Sequence, residues 1–156
     1  MQVLTFKAKP KFIFGAILCA AGVLVVLITF LSNHSAKPAA LGQSAVVSSD
    51  SQRAQFLSSF GWEFDSSYTK KEVTIPKEFN DVYSEYNKIQ KAQGCDLEKY
   101  CGKTVELYTY RITNYPQKEN DYIYANILVY NGNVIGGDVC STAKDGFMHG
   151  FKIQNR

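Results

Sequence analysis

Asp138, Cys140 and His149 are the residues whose types and spacing are closest to a reaction. A thiol becomes a working nucleophile when a base stands beside it, and imidazole is the usual base. The chain has two histidines, His34 and His149. His149 follows Cys140 and Ser141 by fewer than ten residues, with Asp145 also close by. Such a set would suit a cell-wall or peptide hydrolase. However, no Gly-x-Ser-x-Gly elbow or protease signature surrounds it, and a single histidine on a loop accounts for the same residues without any chemistry. Glu72, Glu106, Asp138 and Asp145 could supply the paired carboxylates of glycoside hydrolysis. Acids balanced by bases more often make a solvated surface.

Gly136 and Gly137 stand side by side in a segment that otherwise reads as a strand. Glycine weakens a strand, so a bulge, a closely packed helix or a ligand against bare backbone is needed to explain the pair. Gly136, Gly137 and Asp138 are therefore the candidate ligand groove, with close helix packing as the structural alternative. Cys95 and Cys101 bracket one short turn, and a turn can bring two Cα atoms within the roughly 4.4–6.8 Å that a disulfide requires. They are the candidate disulfide, with two free thiols as the alternative. Their spacing, with no histidine beside it, is poor for zinc, and no phosphate-binding loop is present. Neither a metal nor a cofactor is expected. Tyr108 and Tyr110 share one strand face, and Tyr122, Tyr124 and Tyr130 share another. Such stripes serve either as a recognition surface or as ordinary half-buried strand positions.

The elements that must carry these residues follow from periodicity. Residues 51–60 predict a helix capped by Asp50 and stopped by Gly61. Residues 72–75 predict a short strand ended by Pro76, which then opens a second helix. Phe79, Val82, Tyr83, Tyr86, Ile89 and Gln90 recur at helical spacing along it. One further turn begins at Asp96. Residues 103–113 and 121–130 are rich in Val, Ile, Thr and Tyr and predict strands. Asn131-Gly132 predicts a type I′ hairpin. Closing it pairs Tyr130 with Asn133, Leu128 with Ile135, Asn126 with Gly137 and Ala125 with Asp138. Asp138 then shares a side with Val134 and Cys140. The expected fold is α+β: two main helices covering one face of a three- to four-stranded antiparallel sheet, preceded by a transmembrane helix.

That helix is the apolar run that Phe12 opens and Leu31 closes, with no charge and no proline. Its length matches the roughly 30 Å hydrocarbon core of a bilayer. Lys7, Lys9 and Lys11 precede it, which places the N-terminus in the cytoplasm. The expected order is a cytoplasmic tail at 1–11, a membrane span at 12–31, a flexible Ser/Ala/Gly/Pro linker at 32–49 and an extracytoplasmic domain at 50–156. The span exceeds a signal peptide's apolar region. The net charge of +3 resides in those three lysines. The remainder is balanced and carries no electrostatic footprint for nucleic acid.

IPKEF at 75–79, YNKIQ at 86–90, the run from Gly94 to Gly102, YTYRITNYP at 108–116, and ANILVYNGNVIGGDV followed by DGFMHG occur in one order. Over roughly residues 52–151 the chain resembles domain of unknown function 4830, a family of anchored or secreted proteins of Gram-positive bacteria. The resemblance implies a cell-envelope setting and assigns no activity. The chain departs from the pattern at Cys95 and Cys101. The expected function is a membrane-anchored extracytoplasmic interaction module with a protein or glycan partner in the envelope. A hydrolase built around Asp138, Cys140 and His149 is the alternative.

Overall fold

A computed structural model describes residues 45–116 and 122–152. All of them fall in the second of two compact units, Pro38–Arg156. The expected tail and membrane span, and most of the linker, lie outside the described residues. No helix among the described residues is long and apolar enough to cross a membrane.

The chain folds as an α+β domain: helix α1 (Asp50–Ser58), strand β1 (Phe64–Thr74), helix α2 (Asp81–Ala92), a 3-10 turn (Leu97–Tyr100), β2 (Thr104–Ile112), β3 (Ile123–Tyr130), β4 (Asn133–Ser141) and a two-residue β5 (Met148–His149). The sheet is antiparallel in the order β1-β2-β3-β4-β5. It therefore has five strands where three or four were expected. The short strand predicted at 72–75 is the end of the much longer β1.

Local chemistry sets the helix starts. Ser49, not Asp50, caps α1: its hydroxyl accepts from the Gln52 N–H while the Gln52 side chain accepts from the Ser49 N–H. Pro76 does not open α2. Ile75 stays in a ladder, donating to the Lys103 carbonyl and accepting from the Gly102 N–H. The helix begins only where Asn80 can cap it through the Tyr83 N–H. The end of the expected linker also belongs to the fold. The Val47 N–H donates to the Gly132 carbonyl, the Val134 N–H donates to the Ala45 carbonyl, and Val47 is buried.

The two helices lie on opposite faces of the sheet, not together on one. The α1 residues Phe56 and Leu57 pack with Tyr108, Tyr110, Ile123, Ala125, Ile127 and Val129. On the other face, Tyr83 and Tyr86 of α2 and Leu97 pack with Leu128 and Ile135. Successive strand residues point to opposite sides, so the consecutive apolar residues Ile127, Leu128 and Val129 feed both cores.

The Asn131-Gly132 hairpin forms with both residues at positive φ, 50° and 75°. Tyr130 pairs with Asn133 as predicted. A bulge then intervenes: Val129 pairs with Val134 but Leu128 with Gly136, which leaves Ile135 as the extra residue. Every later partner moves by one, so Asn126 faces Asp138 and Ala125 faces Val139. Asp138 consequently shares its face with Cys140 and Asn126, opposite to Val134.

Gly136 and Gly137 are explained by packing. A Cβ on Gly136 would meet the Gln90 Oε1 at 2.8 Å and a Leu97 methyl at 3.1 Å. A Cβ on Gly137 would collide with the Asn126 carbonyl and the Phe151 ring, and Gly137 has φ +154°. Gly61 offers a contrast, with φ +85° and open space around it. Gly137→Ala is expected to lower the unfolding free energy by about 3 kcal/mol, combining overpacking with backbone strain. Gly61→Ala should cost about 1 kcal/mol, from backbone conformation alone. Urea titrations of both variants check the ranking.

Candidate functional site

The site grows from the contact between α2 and β4. Gln90 is fully buried, and its Oε1 accepts from the Gly137 N–H at 2.8 Å. The Gln93 Nε2 donates to the Gly137 carbonyl at 2.7 Å and to the Gln90 Oε1 at 2.9 Å, while the Gln93 Oε1 accepts from the Phe151 N–H. Two glutamine side chains thus take the place of a strand neighbour along this stretch of β4. The candidate groove at Gly136 and Gly137 is filled by the protein itself. The Gln90 Nε2 is buried with no partner among the described residues. Reversing the amide would set Nε2 against the Gly137 N–H, donor against donor.

One turn earlier on α2, Tyr86 reaches Asp138. Its hydroxyl donates to the Asp138 Oδ2 at 2.8 Å, and the Asn126 Nδ2 donates to Oδ1 at 2.9 Å. The Thr109 hydroxyl donates to the Asn126 Oδ1 at 2.8 Å and fixes that amide. Asp138 is 3% exposed. None of the ion pairs among the described residues includes it. Burial raises the Asp138 carboxyl above its ordinary value, against the lowering effect of the bonds from Asn126 and Tyr86. Burial, and then the Asp138 charge, hold the Tyr86 hydroxyl well above its usual range.

Asp138 forms part of the floor of a groove of about 580 Å³. Its walls are Val82, Tyr83, Tyr86 and Ile89 of α2 and Met148 of β5, with Glu85 and Lys88 at the side. Val82 is 76% exposed and Met148 48%. Lys88 is engaged by Glu85. The groove is apolar, open to solvent and contains one buried acid. The sequence singles out Asp138 and the helix that walls it, but gives Asp138 the wrong strand partner and does not bring the two together. The available signal was Val82 and Ile89, which widen the apolar stripe of α2 beyond the positions that face the sheet.

The remaining candidates are dispersed. Cys140 pairs with Met148 and His149 pairs with Val139, so the Cys140 and His149 side chains leave opposite faces of the sheet. His149 lies among Trp62, Tyr115 and Phe147. Its Nδ1 donates to the Gly150 carbonyl at 2.5 Å, which leaves Nε2 to accept from the Tyr115 hydroxyl at 3.0 Å. The nucleophile–base geometry of a hydrolase is therefore absent at these three residues. Burial, assisted by Asp138, pushes the Cys140 thiol up to about 11, the reverse of activation.

Cys95 and Cys101 are free, as is Cys140. The expected disulfide is not formed in the structure: Cys95 is buried in the core cluster on the α1 side and Cys101 is half-buried at the end of the 3-10 turn. That turn sends Leu97 and Tyr100 into the cluster on the other face. Tyr108 and Tyr110 are buried and hold Arg53, whose guanidinium lies 3.9 Å from the Tyr108 ring centroid and donates to the Tyr110 hydroxyl at 3.0 Å. That stripe is core, not a recognition surface. Of the other, Tyr122 is exposed and beneath Arg111, Tyr124 is half-buried, and Tyr130 packs on Tyr100. Among the described residues no group of three His, Cys, Asp or Glu side chains is placed to hold a metal ion.

Two predictions follow from these environments. Iodoacetamide at pH 8 should modify Cys95 and Cys140 about 100-fold more slowly than an unfolded thiol, read by peptide mass spectrometry; rapid labelling of native Cys140 would refute the assignment. Because the folded state raises the Asp138 carboxyl, its contribution to stability is full below the ordinary aspartate range and is lost as pH rises through the folded value. Asp138→Asn removes this dependence, so its stability relative to wild type should rise from pH 3.5 to pH 7 in urea titrations. A flat difference would contradict the burial argument.

A family model described as Domain of unknown function (DUF4830) matches residues 56–139. No curated protein and no solved structure matches.

Proposed function

We propose a function from the premise that this chain belongs to the DUF4830 family, whose model covers more than half of it. The description of that family names no activity, so the reading rests on the site. The protein is an interaction module, held at the cell envelope by the apolar segment at 12–31 with its N-terminus cytoplasmic and its α+β domain outside. Its binding surface is the groove beside α2.

One observation carries the binding assignment: a solvent-open apolar groove whose wall includes the exposed Val82 and Met148. Apolar side chains on open display, gathered around a concave surface with few polar groups, are the usual composition of a binding site. The location is supported by the sequence: an uncharged run long enough to span a bilayer, with three lysines on one side only. The expected partner is a protein or a glycan of the envelope. Balanced charge beyond those lysines argues against nucleic acid.

Two measurements test this reading. An exposed cysteine placed by Asp145→Cys should react with a membrane-impermeant maleimide in intact cells; reaction only after permeabilisation would overturn the topology. A photo-crosslinking residue at position 82 should trap a discrete partner in living cells, whereas the same residue at position 70, on the edge strand, should not. Equal or absent capture at both positions would remove the groove from the assignment.

A further inference from the structure

We infer that the groove selects a ligand carrying a primary ammonium on an apolar stem, such as a lysyl side chain of a peptide partner, with Asp138 receiving the cation. The inference rests on the groove being the binding surface and goes on to specify the chemistry that it takes.

The argument is one of charge complementarity in a confined space. A buried carboxylate is costly unless it is paired, and removal from water is repaid by a close opposite charge. Asp138 has hydrogen bonds from Tyr86 and Asn126 and a weaker one from the Cys140 thiol, but no cation among the described residues. An ionised carboxylate offers about four lone-pair sites, so these three bonds, the thiol's a weak one, leave room for one charged donor. Tyr86 also lines the groove and turns its hydroxyl toward the acid. The other titratable groups that act on Asp138 are the Cys140 thiol and the more remote His149.

The walls favour an extended aliphatic stem. Val82, Ile89 and Met148 supply the apolar surface and Tyr83 an aromatic one. Glu85 adds a second acid beside the groove, and Lys88, the only lysine lining it among the described residues, is already bound to Glu85. A neutral stem of the same length would gain the apolar contact but leave Asp138 unpaired. A stem ending in a carboxylate would meet like charge. A lysyl side chain satisfies both the walls and the floor, because its methylene stem packs while its head seeks an acid.

The test compares N-acetyl-lysine methylamide with its norleucine counterpart, which has the same stem and no ammonium. Both are titrated into the full-length chain while the methyl resonances of Val82 and Met148 are followed by NMR. The lysyl probe is expected to bind about tenfold or more tightly than the norleucine probe, and Asp138→Asn should erase the preference while retaining the weaker apolar binding. Val82→Arg, at an exposed position, should weaken both probes. Equal binding of the two probes to the wild-type chain overturns the ammonium assignment but leaves the groove as a binding surface. So does a preference that survives in Asp138→Asn. If neither probe shifts Val82 or Met148, the ammonium assignment falls; crosslinking from position 82 then decides separately whether the groove binds anything. The wild-type comparison needs no variant, so the outcome does not depend on Asp138→Asn folding.

Discussion

Strand β4 is buried along most of its length and carries two consecutive residues that have no side chain, and helix α2 closes on that bare stretch. Backbone polar groups removed from water must find partners. At Gly137 both groups find them on glutamine side chains, the N–H on Gln90 and the carbonyl on Gln93. Gln93 then ties in the Phe151 N–H, and the Phe151 carbonyl accepts from the Trp62 indole. One chain of hydrogen bonds thus runs from α2 across β4 to the segment after α1. Glycine is required because Gln90 and Leu97 occupy one side of the strand and Phe151 the other. The position of α2, and with it the wall of the groove, depends on this approach.

A sheet covered on both faces needs apolar side chains at consecutive positions. Residues 127–129 of β3, and Val134 and Ile135 of β4, provide them. Val134 and Ile135 serve different cores by ordinary alternation; the bulge then puts Ile135 and Gly136 on the same side and so reverses the sidedness of all that follows. On the α1 face Arg53 performs a task like that of Gln90. It is a buried polar side chain bound to the Val47 carbonyl, the Tyr110 hydroxyl and the Tyr108 ring, and it joins the helix to both the sheet and the incoming chain. A guanidinium can meet several partners at once because its donors are fixed in one plane and its face stacks on aromatic rings. The two faces are therefore each fastened by a long polar side chain where helix meets strand.

Burial gives the acid and the thiol of β4 different prospects. It suppresses the thiolate of Cys140, which makes the thiol a poor nucleophile. It also raises the cost of an ionised Asp138, which makes the carboxylate a strong acceptor for any donor that can reach it. Low dielectric acts on both residues in the same direction, but opposing covalent attack and favouring recognition are different consequences.

Much of the architecture was readable from residue order alone. The Asn131-Gly132 turn, the Asp96-capped turn and the strands on either side of the hairpin depend on conformational preferences that act within a few residues. The significance of Gly136 and Gly137 was also visible, because glycine inside a strand demands an explanation wherever it occurs. What covers those glycines was not visible, since Gln90 and Phe151 approach from 47 positions before and 14 positions after Gly137. The pairing of Asp138 failed for a related reason: counting back from the turn assumes an unbroken ladder, and the extra residue at Ile135 shifts every later partner by one. The separation of Cys140 from His149, the burial of Tyr108 and Tyr110 beneath Arg53, and the groove between α2 and β5 arise from which face each helix takes. That choice is made by the fit of distant side chains, which carry no mark of it in their local sequence.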